Sequence, residues 1–372
     1  MAFIRDLKAL AVATTLMSGL SVLAATPARA QDCSHHCMAV GEFGKNAGAG
    51  SPIYLNAVYS YLTVPCLNAS NTTNDFTSFE MWMYTNDNGA GLTFVEGGMT
   101  IGNIYGDAGR VGGHSLMWFW GDKRLLSSGY NLSSHFVSYA SLGQSNSYEY
   151  WWDGGGKWEV YVGGADVGYS YPVGDFAGGA QVGTESTDPH PTVNGTGGTV
   201  QYADTHWNWH NANLSAFNTF DTYHMNLPTI SITNGYNVAV STNCAPIPLA
   251  VRAAQTAARA PLAVTALARV ARQVGVDLGG AAPVTARYVR TTRGRAVRVA
   301  TADRVDSTQP VYLLVLTGHF TDRPAARPQG AKPMTGTTLT ATIDPATGTV
   351  LDWSIGGGLS GNLQTLGTVN RL

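Results

Sequence analysis

From about Ser51 to Val240 the chain is a succession of short apolar and aromatic runs separated by polar or glycine-rich breaks. Residues 52–62, 79–84, 92–101, 115–120, 133–140, 147–152 and 158–162 are such runs, and none sustains a helical apolar period. Asn86-Asp87-Asn88-Gly89, Asp107-Ala108-Gly109 and Asp153-Gly154-Gly155-Gly156 lie between them and tolerate the backbone angles of tight turns. Many short strands at even spacing predict an all-β antiparallel sandwich.

Beyond Cys244 the pattern changes. Pro246 and Pro248 mark a boundary, and residues 250–274, rich in Ala and Arg, predict a helix interrupted at Pro261. Residues 285–290, 295–301, 311–320, 337–343 and 350–355 predict strands, the last two joined by the turn Asp344-Pro345-Ala346-Thr347-Gly348. This is a small α+β unit. The expected division is a signal segment over 1–30, a sandwich over 31–246 and a basic α+β unit over 247–372, an accessory module or pro-region.

The first thirty residues read as a secretory signal peptide. Arg5 and Lys8 precede an apolar run from Ala9 to Ala25, and Ala28-Arg29-Ala30 supplies small residues for cleavage, so the mature chain is expected to begin at Gln31. Thr14, Thr15, Ser18 and Gly19 break the run below spanning length, and no membrane partner is expected. A secreted, extracellular protein suits the four cysteines Cys33, Cys37, Cys66 and Cys244 as two disulfides, with three pairings open. A Cys66–Cys244 bridge would staple the ends of the sandwich. Zinc at Cys33-Ser34-His35-His36-Cys37 is the alternative use of that cluster.

The net charge of -2 conceals a division. Residues 31–244 carry 5 Lys and Arg against 17 Asp and Glu, whereas residues 245–372 carry 14 against 6. Opposite charge gives the two segments a reason to dock. Nothing points to nucleic acid, and there is no phosphate-binding glycine loop, Gly-x-Ser-x-Gly elbow or His-Glu-x-x-His helix. His206 and His210 would lie roughly 13 Å apart on a strand, too far to share a metal, so no metal and no cofactor are expected.

The glutamates are the candidates for chemistry. All six lie before Cys244. Glu80, Glu149 and Glu159 sit among Trp and Tyr, where a partly solvated sheet face accounts for them, and Glu42 stands beside a glycine-rich loop. Glu96, in Phe94-Val95-Glu96-Gly97-Gly98, and Glu185, in Gln181-Val182-Gly183-Thr184-Glu185, are set among apolar and small residues without a neighbouring cation.

Phe94-Val95-Glu96-Gly97-Gly98 resembles the first catalytic-glutamate motif of the neprosin family of glutamic peptidases. Trp158-Glu159-Val160-Tyr161-Val162, Val167-Gly168-Tyr169-Ser170-Tyr171-Pro172 and Phe176 resemble that family's Trp strand and Gly-Tyr-x-Pro turn. The segment from His114 to Tyr130 and Gly129-Tyr130-Asn131 are similar to the stretch between, and Gln181 to Glu185 falls where the second glutamate belongs. The blocks keep their order over about Thr77 to Trp209. Gly98 and Met99 stand where the family commonly has an aromatic residue, and Thr184 where it often has glycine, so a distant member is implied and proline-directed cleavage is not.

The resemblance implies a polypeptide substrate and a Glu96–Glu185 dyad, one acting as base on water and the other as acid. Two close carboxyls share a proton over an acidic range. Trp120, Tyr130, Tyr161 and Tyr202 are candidate groove-lining residues. Residues 311–318 and 339–351 weakly resemble PepSY-like strands, which implies intramolecular inhibition by a removable carboxyl-terminal cover. A secreted glycoside hydrolase or a non-catalytic carbohydrate-binding sandwich are the alternatives.

Overall fold

The computed structural model describes residues 37–44, 54–69, 75–85, 93–102, 116–126, 129–154, 157–170, 177–188, 190–220, 227–244, 261–322 and 334–372. In chain order the strands of the first segment are β1 (Cys37–Gly44), β2 (Ala57–Asn68), β3 (Phe76–Thr85), β4 (Phe94–Gly102), β5 (Met117–Leu126), β6 (Gly129–Tyr139), β7 (Ser145–Trp152) and β8 (Trp158–Val162). They continue as β9 (Ala165–Ser170), β10 (Ala177–Ser186), β11 (Thr192–Gly197), β12 (Gln201–Ala203), β13 (Trp209–Asn211), β14 (Ser215–Asn218), β15 (Thr229–Thr233) and β16 (Asn237–Ser241). The second segment holds α1 (Val264–Gly279), β17 (Thr285–Thr292), α2 (Arg293–Thr301), β18 (Pro310–Thr321), β19 (Thr335–Ile343), β20 (Val350–Gly356) and β21 (Asn370–Arg371).

These strands form two antiparallel sheets. The larger has twelve strands in the order β14-β1-β10-β3-β4-β5-β6-β20-β19-β18-β17-β21, and the smaller runs β15-β16-β11-β2-β7-β8-β9, with β12 on β2 and β13 on β12. The two faces of the large sheet follow from its register. Gln181, Trp82, Glu96, Gly121, Ser134, Trp353 and Ala341 pair successively across it, so they share one face. The opposite, inner face meets the small sheet in a core that includes Val58, Leu62, Met81, Val95, Trp120, Tyr148, Tyr150 and Trp158.

The two composition segments share the large sheet, because β20 pairs with β6 from Asp352 opposite His135 to Gly356 opposite Asn131. Over the second segment α2 takes the place of the small sheet on the inner face, and α1 covers the outer face. Leu267, Ala271, Val274 and Leu278 of α1 pack on the outer face with Leu316, Leu339 and Ala341. Ala296 and Ala300 of α2 pack on the inner face with Val289, Leu313 and Val315.

One predicted strand is a helix. Residues 295–301 alternate Arg and Val, a strand-like pattern, but Arg293, Ala296, Val297, Ala300 and Thr301 are buried at helical spacing in α2. The register of buried positions, set by β17 and β18, overrides the local alternation. Of the predicted helix over 250–274, residues from Val264 onward are seen in α1, which ends at Gly280 in the left-handed region at φ 67°; residues 250–260 lie outside the described residues.

A disulfide joins Cys66 to Cys244 across 178 residues. On the loop-closure model a loop of that size contributes about 5 kcal/mol by restricting the unfolded chain. Cys37 is also disulfide-bonded, and Cys33 lies outside the described residues. No helix among the described residues is long and apolar enough to cross a membrane.

Candidate active site

Glu96, Glu80 and Glu185 lie on three adjacent strands and on the outer face of the large sheet. Glu96 on β4 is opposite Trp82 of β3, Glu80 of β3 is opposite Gly183 of β10, and Glu185 of β10 is opposite Ser78. Each step between glutamates is thus one strand across and two residues along, a diagonal that long side chains bridge. Glu80 stands in the middle. Glu96 and Glu185 are two strands and four residues apart, roughly 16 Å between backbones at standard strand spacing.

Small residues make room for these acids. A side chain on Gly121 would stand 2.9 Å from Glu96 Oε1, and one on Gly98 would stand 2.4 Å from Glu80 Cβ. Gly97 serves the inner face, where its missing side chain admits the Tyr148 ring of the small sheet. The two glycines that follow Glu96 therefore have separate steric causes.

All three carboxyls are buried, at 2%, 0% and 0% exposure for Glu96, Glu80 and Glu185. Trp82 Nε1 donates to Glu96 Oε2 at 3.2 Å, and Ser78 Oγ donates to Glu80 Oε1. Glu80 Oε2 has no hydrogen-bond partner. Beside them Gln181 Nε2 donates to Glu42 Oε2 at 2.8 Å, which extends the polar row to β1.

Burial favours the protonated form of a carboxyl. Glu80 is pushed up to about 8 by burial, against the pull of Ser78. Glu96 is raised well above the carboxylate range, by burial first and then by the charges of Glu80 and Glu185. Glu42 is also raised by burial. Glu80 and Glu96 therefore hold their protons at neutral pH and below, where they can act as proton donors.

The rings expected beside the glutamates are elsewhere. Trp120 is opposite Gly97, on the inner face, and its ring centroid is 4.2 Å from that of His135. Tyr202 stacks on Phe43 at 5.3 Å in the rim of the sandwich core. Tyr161 belongs to the small sheet, where its hydroxyl donates to Glu159. The side chain of Tyr130 lies outside the described residues. The ring that touches Glu96 is Trp82, which the β3 sequence marked only as an apolar position.

A second buried polar cluster had no signal in the sequence. It lies on the inner face at the seam where α2 takes over from the small sheet. His135 of β6 bonds Asp352 of β20 through Nδ1 at 3.0 Å and Asp303, after α2, through Nε2 at 3.1 Å. Arg124 of β5 pairs with Asp303 and lies 3.2 Å from Asp122. Arg293 clasps Asp352 with Nε at 2.9 Å and Nη2 at 2.7 Å.

Here the cations dominate. Burial opposes charge on His135, but its bonds to Asp303 and Asp352 hold it up to about 9. Burial likewise opposes charge on Asp303, yet Arg124 and His135 hold it down to about 2. Donor atoms of Asp122, His135 and Asp303 lie within 4.8 Å of one another. Arg124 already supplies the positive charge that a metal ion would bring, so the seam is a structural ion-pair network. His206 and His210 form no pair; His210 is exposed and bonds Asp204 at 2.9 Å.

No protein-family model matches the chain, and no curated protein matches it. Among solved structures, scytalido-glutamic peptidase with a transition state analog inhibitor is similar at 8% identity and a TM-score of 0.38, covering 55% of this chain and 98% of that one. SCP-B, a member of the Eqolisin family of peptidases in complex with the tripeptide Ala-Ile-His, is similar at 10% identity and a TM-score of 0.33, over 56% and 98%. The β-porphyranase BpGH16B from the human gut bacterium Bacteroides plebeius follows at 8% identity and a TM-score of 0.19, over 57% and 77%. Likeness at this level carries no activity across, and the chemistry rests on this chain's own residues.

Proposed function

We propose that this chain is a secreted, acid-acting endopeptidase that uses the carboxyls of its outer sheet face, with Glu96 and Glu185 as the dyad of a distant neprosin-like glutamic peptidase. The observation that carries the reading is the diagonal of three buried carboxyls on one face of the large sheet. Hydrolysis of an amide needs water deprotonated and the leaving nitrogen protonated. One ionised and one protonated carboxyl supply both, and a cluster that shares protons exists in that mixed state over a range of pH. Glu80 stands between the pair and relays charge from one to the other.

The Cys66–Cys244 disulfide supports an oxidising compartment. The glycoside hydrolase alternative lacks exposed rings beside the glutamates among the described residues, since Trp151, Trp207 and Trp209 lie on the small sheet. Inhibition by residues 247–372 belongs to the same proposal, and release would have to break the β6–β20 ladder. Cleavage of the chain between residues 244 and 261 should then raise turnover; unchanged turnover removes the inhibitory part.

The deciding experiment is digestion of denatured casein by the whole secreted protein at about pH 3 to 5, where glutamate titrates, in the presence of chelators and serine reagents. Glu96→Gln and Glu185→Gln should each lower the rate on the order of 10³-fold or more, the loss of about 4 kcal/mol of transition-state stabilisation. If both folded variants digest casein at the wild-type rate, the dyad is wrong. Cleavage of polysaccharide in place of casein would favour the glycosidase.

A further inference from the structure

The outer face of the small sheet carries rings and acids that the proposed peptidase chemistry does not use. Register pairing places Trp209, Ala203, Ala57, Trp151, Glu159 and Tyr169 in one row across β13, β12, β2, β7, β8 and β9. The next row holds Asn211, Gln201, Tyr59, Glu149, Tyr161 and Asp166. Six strands at standard spacing make a strip roughly 24 Å long.

The rings of this strip are held in place. Trp151 stacks on Trp207 at 5.6 Å and meets Trp209 edge-on at 5.6 Å. Its Nε1 donates to Glu149 Oε2 at 3.1 Å. Trp207 adopts φ 63°, a conformation that costs a bulky residue energy. Asp204 enforces it by accepting from the backbone of His206 at 2.8 Å and of Asn208 at 3.0 Å. Yet Trp207 and Trp209 remain 45% and 41% exposed. A rigid and solvated tryptophan cluster has no packing purpose, and such surfaces mark binding sites.

The charges select the ligand. Glu149 accepts from Trp151 and Glu159 from Tyr161; neither is in a contact ion pair among the described residues, and Arg304 at the strip's end already interacts with the charge of Glu159. At the strip's end the same face already holds cations over a ring, since Lys157 Nζ and the Arg304 guanidinium each lie 4.8 Å from the Tyr169 centroid. An anionic chain would be repelled. A chain with flat apolar faces and repeated positive groups would stack on the indoles while its cations meet the carboxylates.

We propose that this face binds a polysaccharide of β-linked amino sugars, whose pyranose faces stack on Trp151 and Trp209 and whose ammonium groups approach Glu149 and Glu159. The site is separate from the glutamate face of the large sheet, so it anchors the protein to a cationic polymer without taking part in the chemistry.

Tryptophan fluorescence titration of the whole protein with a glucosamine hexamer, its N-acetylated counterpart and an oligogalacturonate tests this, at a pH where the amines are protonated. Saturable binding of the glucosamine hexamer is expected, weaker at higher salt, and at least about tenfold tighter than the N-acetylated hexamer, a difference of about 1.4 kcal/mol. Trp209→Ala and the double variant Glu149→Gln/Glu159→Gln should each weaken it by a similar factor while casein digestion stays unchanged. Trp209 is at an exposed edge, so its loss leaves the fold intact, which circular dichroism verifies. Equal binding of the N-acetylated or the anionic oligomer, no binding at all, or wild-type affinity in either variant overturns the proposal.

Discussion

Glu80 and Asp303 are both fully buried carboxyls near the same sheet, yet burial neutralises one and not the other. Glu80, on the outer face, accepts from Ser78 and is held up to about 8 by burial. Asp303, at the inner seam, faces Arg124 and His135 and is held down to about 2. The difference lies in the partners. Without a cation the desolvation cost is relieved by taking up a proton; with two cations in contact it is offset by attraction. Asp122 is raised to about 6 by burial first, against the pull of Arg124, with the charge of Asp303 adding to the rise.

The same comparison corrects the expectation that opposite net charges draw the two segments together. Arg304 pairs with Asp166 in the expected sense. The buried contacts run the other way, with Arg124 and His135 of the acidic segment meeting Asp303 and Asp352 of the basic one. Local pairing, desolvated and within contact distance, outweighs a charge sum spread over a solvated surface.

Removing one seam partner should be the most damaging change to the fold. Asp303→Asn leaves Arg124 and His135 buried without their shared negative charge, and urea unfolding should show a loss of about 3 to 5 kcal/mol. Glu80→Gln, its counterpart on the outer face, replaces a carboxyl that is already neutral. Its cost should be within about 1 kcal/mol at pH 7. Equal losses in the two variants would erase the distinction.

Stability should also fall with rising pH. Glu80 and His135 are raised from 4.5 and 6.5 to about 8 and about 9. Each contributes fully below its unfolded value and loses that contribution as pH climbs through its folded one. Asp303, lowered from 3.8 to about 2, contributes above 3.8 and fails only in strong acid. Tm should therefore decline from about pH 5 to about pH 9. In His135→Gln the steepest part, between about pH 6.5 and 8 where both groups hold protons only in the folded state, should flatten. Gly121→Ala should lower Tm as well as any activity, because its added methyl group would meet the backbone Ser133 O at 2.6 Å and Glu96 Oε1 at 2.9 Å, and the backbone contact is relieved only by shifting β5 against β6.

Much of the sandwich was legible because its strands are short, evenly spaced and punctuated by turn residues. Glu96 and Glu185 stood out as acids in apolar strands, and both share one sheet face. Glu80 did not, because Phe79, Met81, Trp82 and Met83 around it are buried on both faces of β3, which leaves no alternation to mark its side. The seam was illegible for a different reason. His135 meets partners 168 and 217 residues away, and no local pattern encodes such a contact. Trp120 was read as a groove residue from its neighbours, while one step of strand parity turns it into the core.

The protonation of the outer face is the point on which the chemistry turns. Carbon-13 spectra of glutamate side-chain carboxyls, assigned through Glu80→Gln, Glu96→Gln and Glu185→Gln, follow each group across about pH 4 to 9, the range spanned by free and buried carboxyls. At least one of Glu80, Glu96 and Glu185 should remain protonated at pH 7, and replacing any one should lower the apparent values of the others. Three carboxyls that all ionise near the ordinary glutamate value, each indifferent to the loss of its neighbours, would contradict a proton-sharing site.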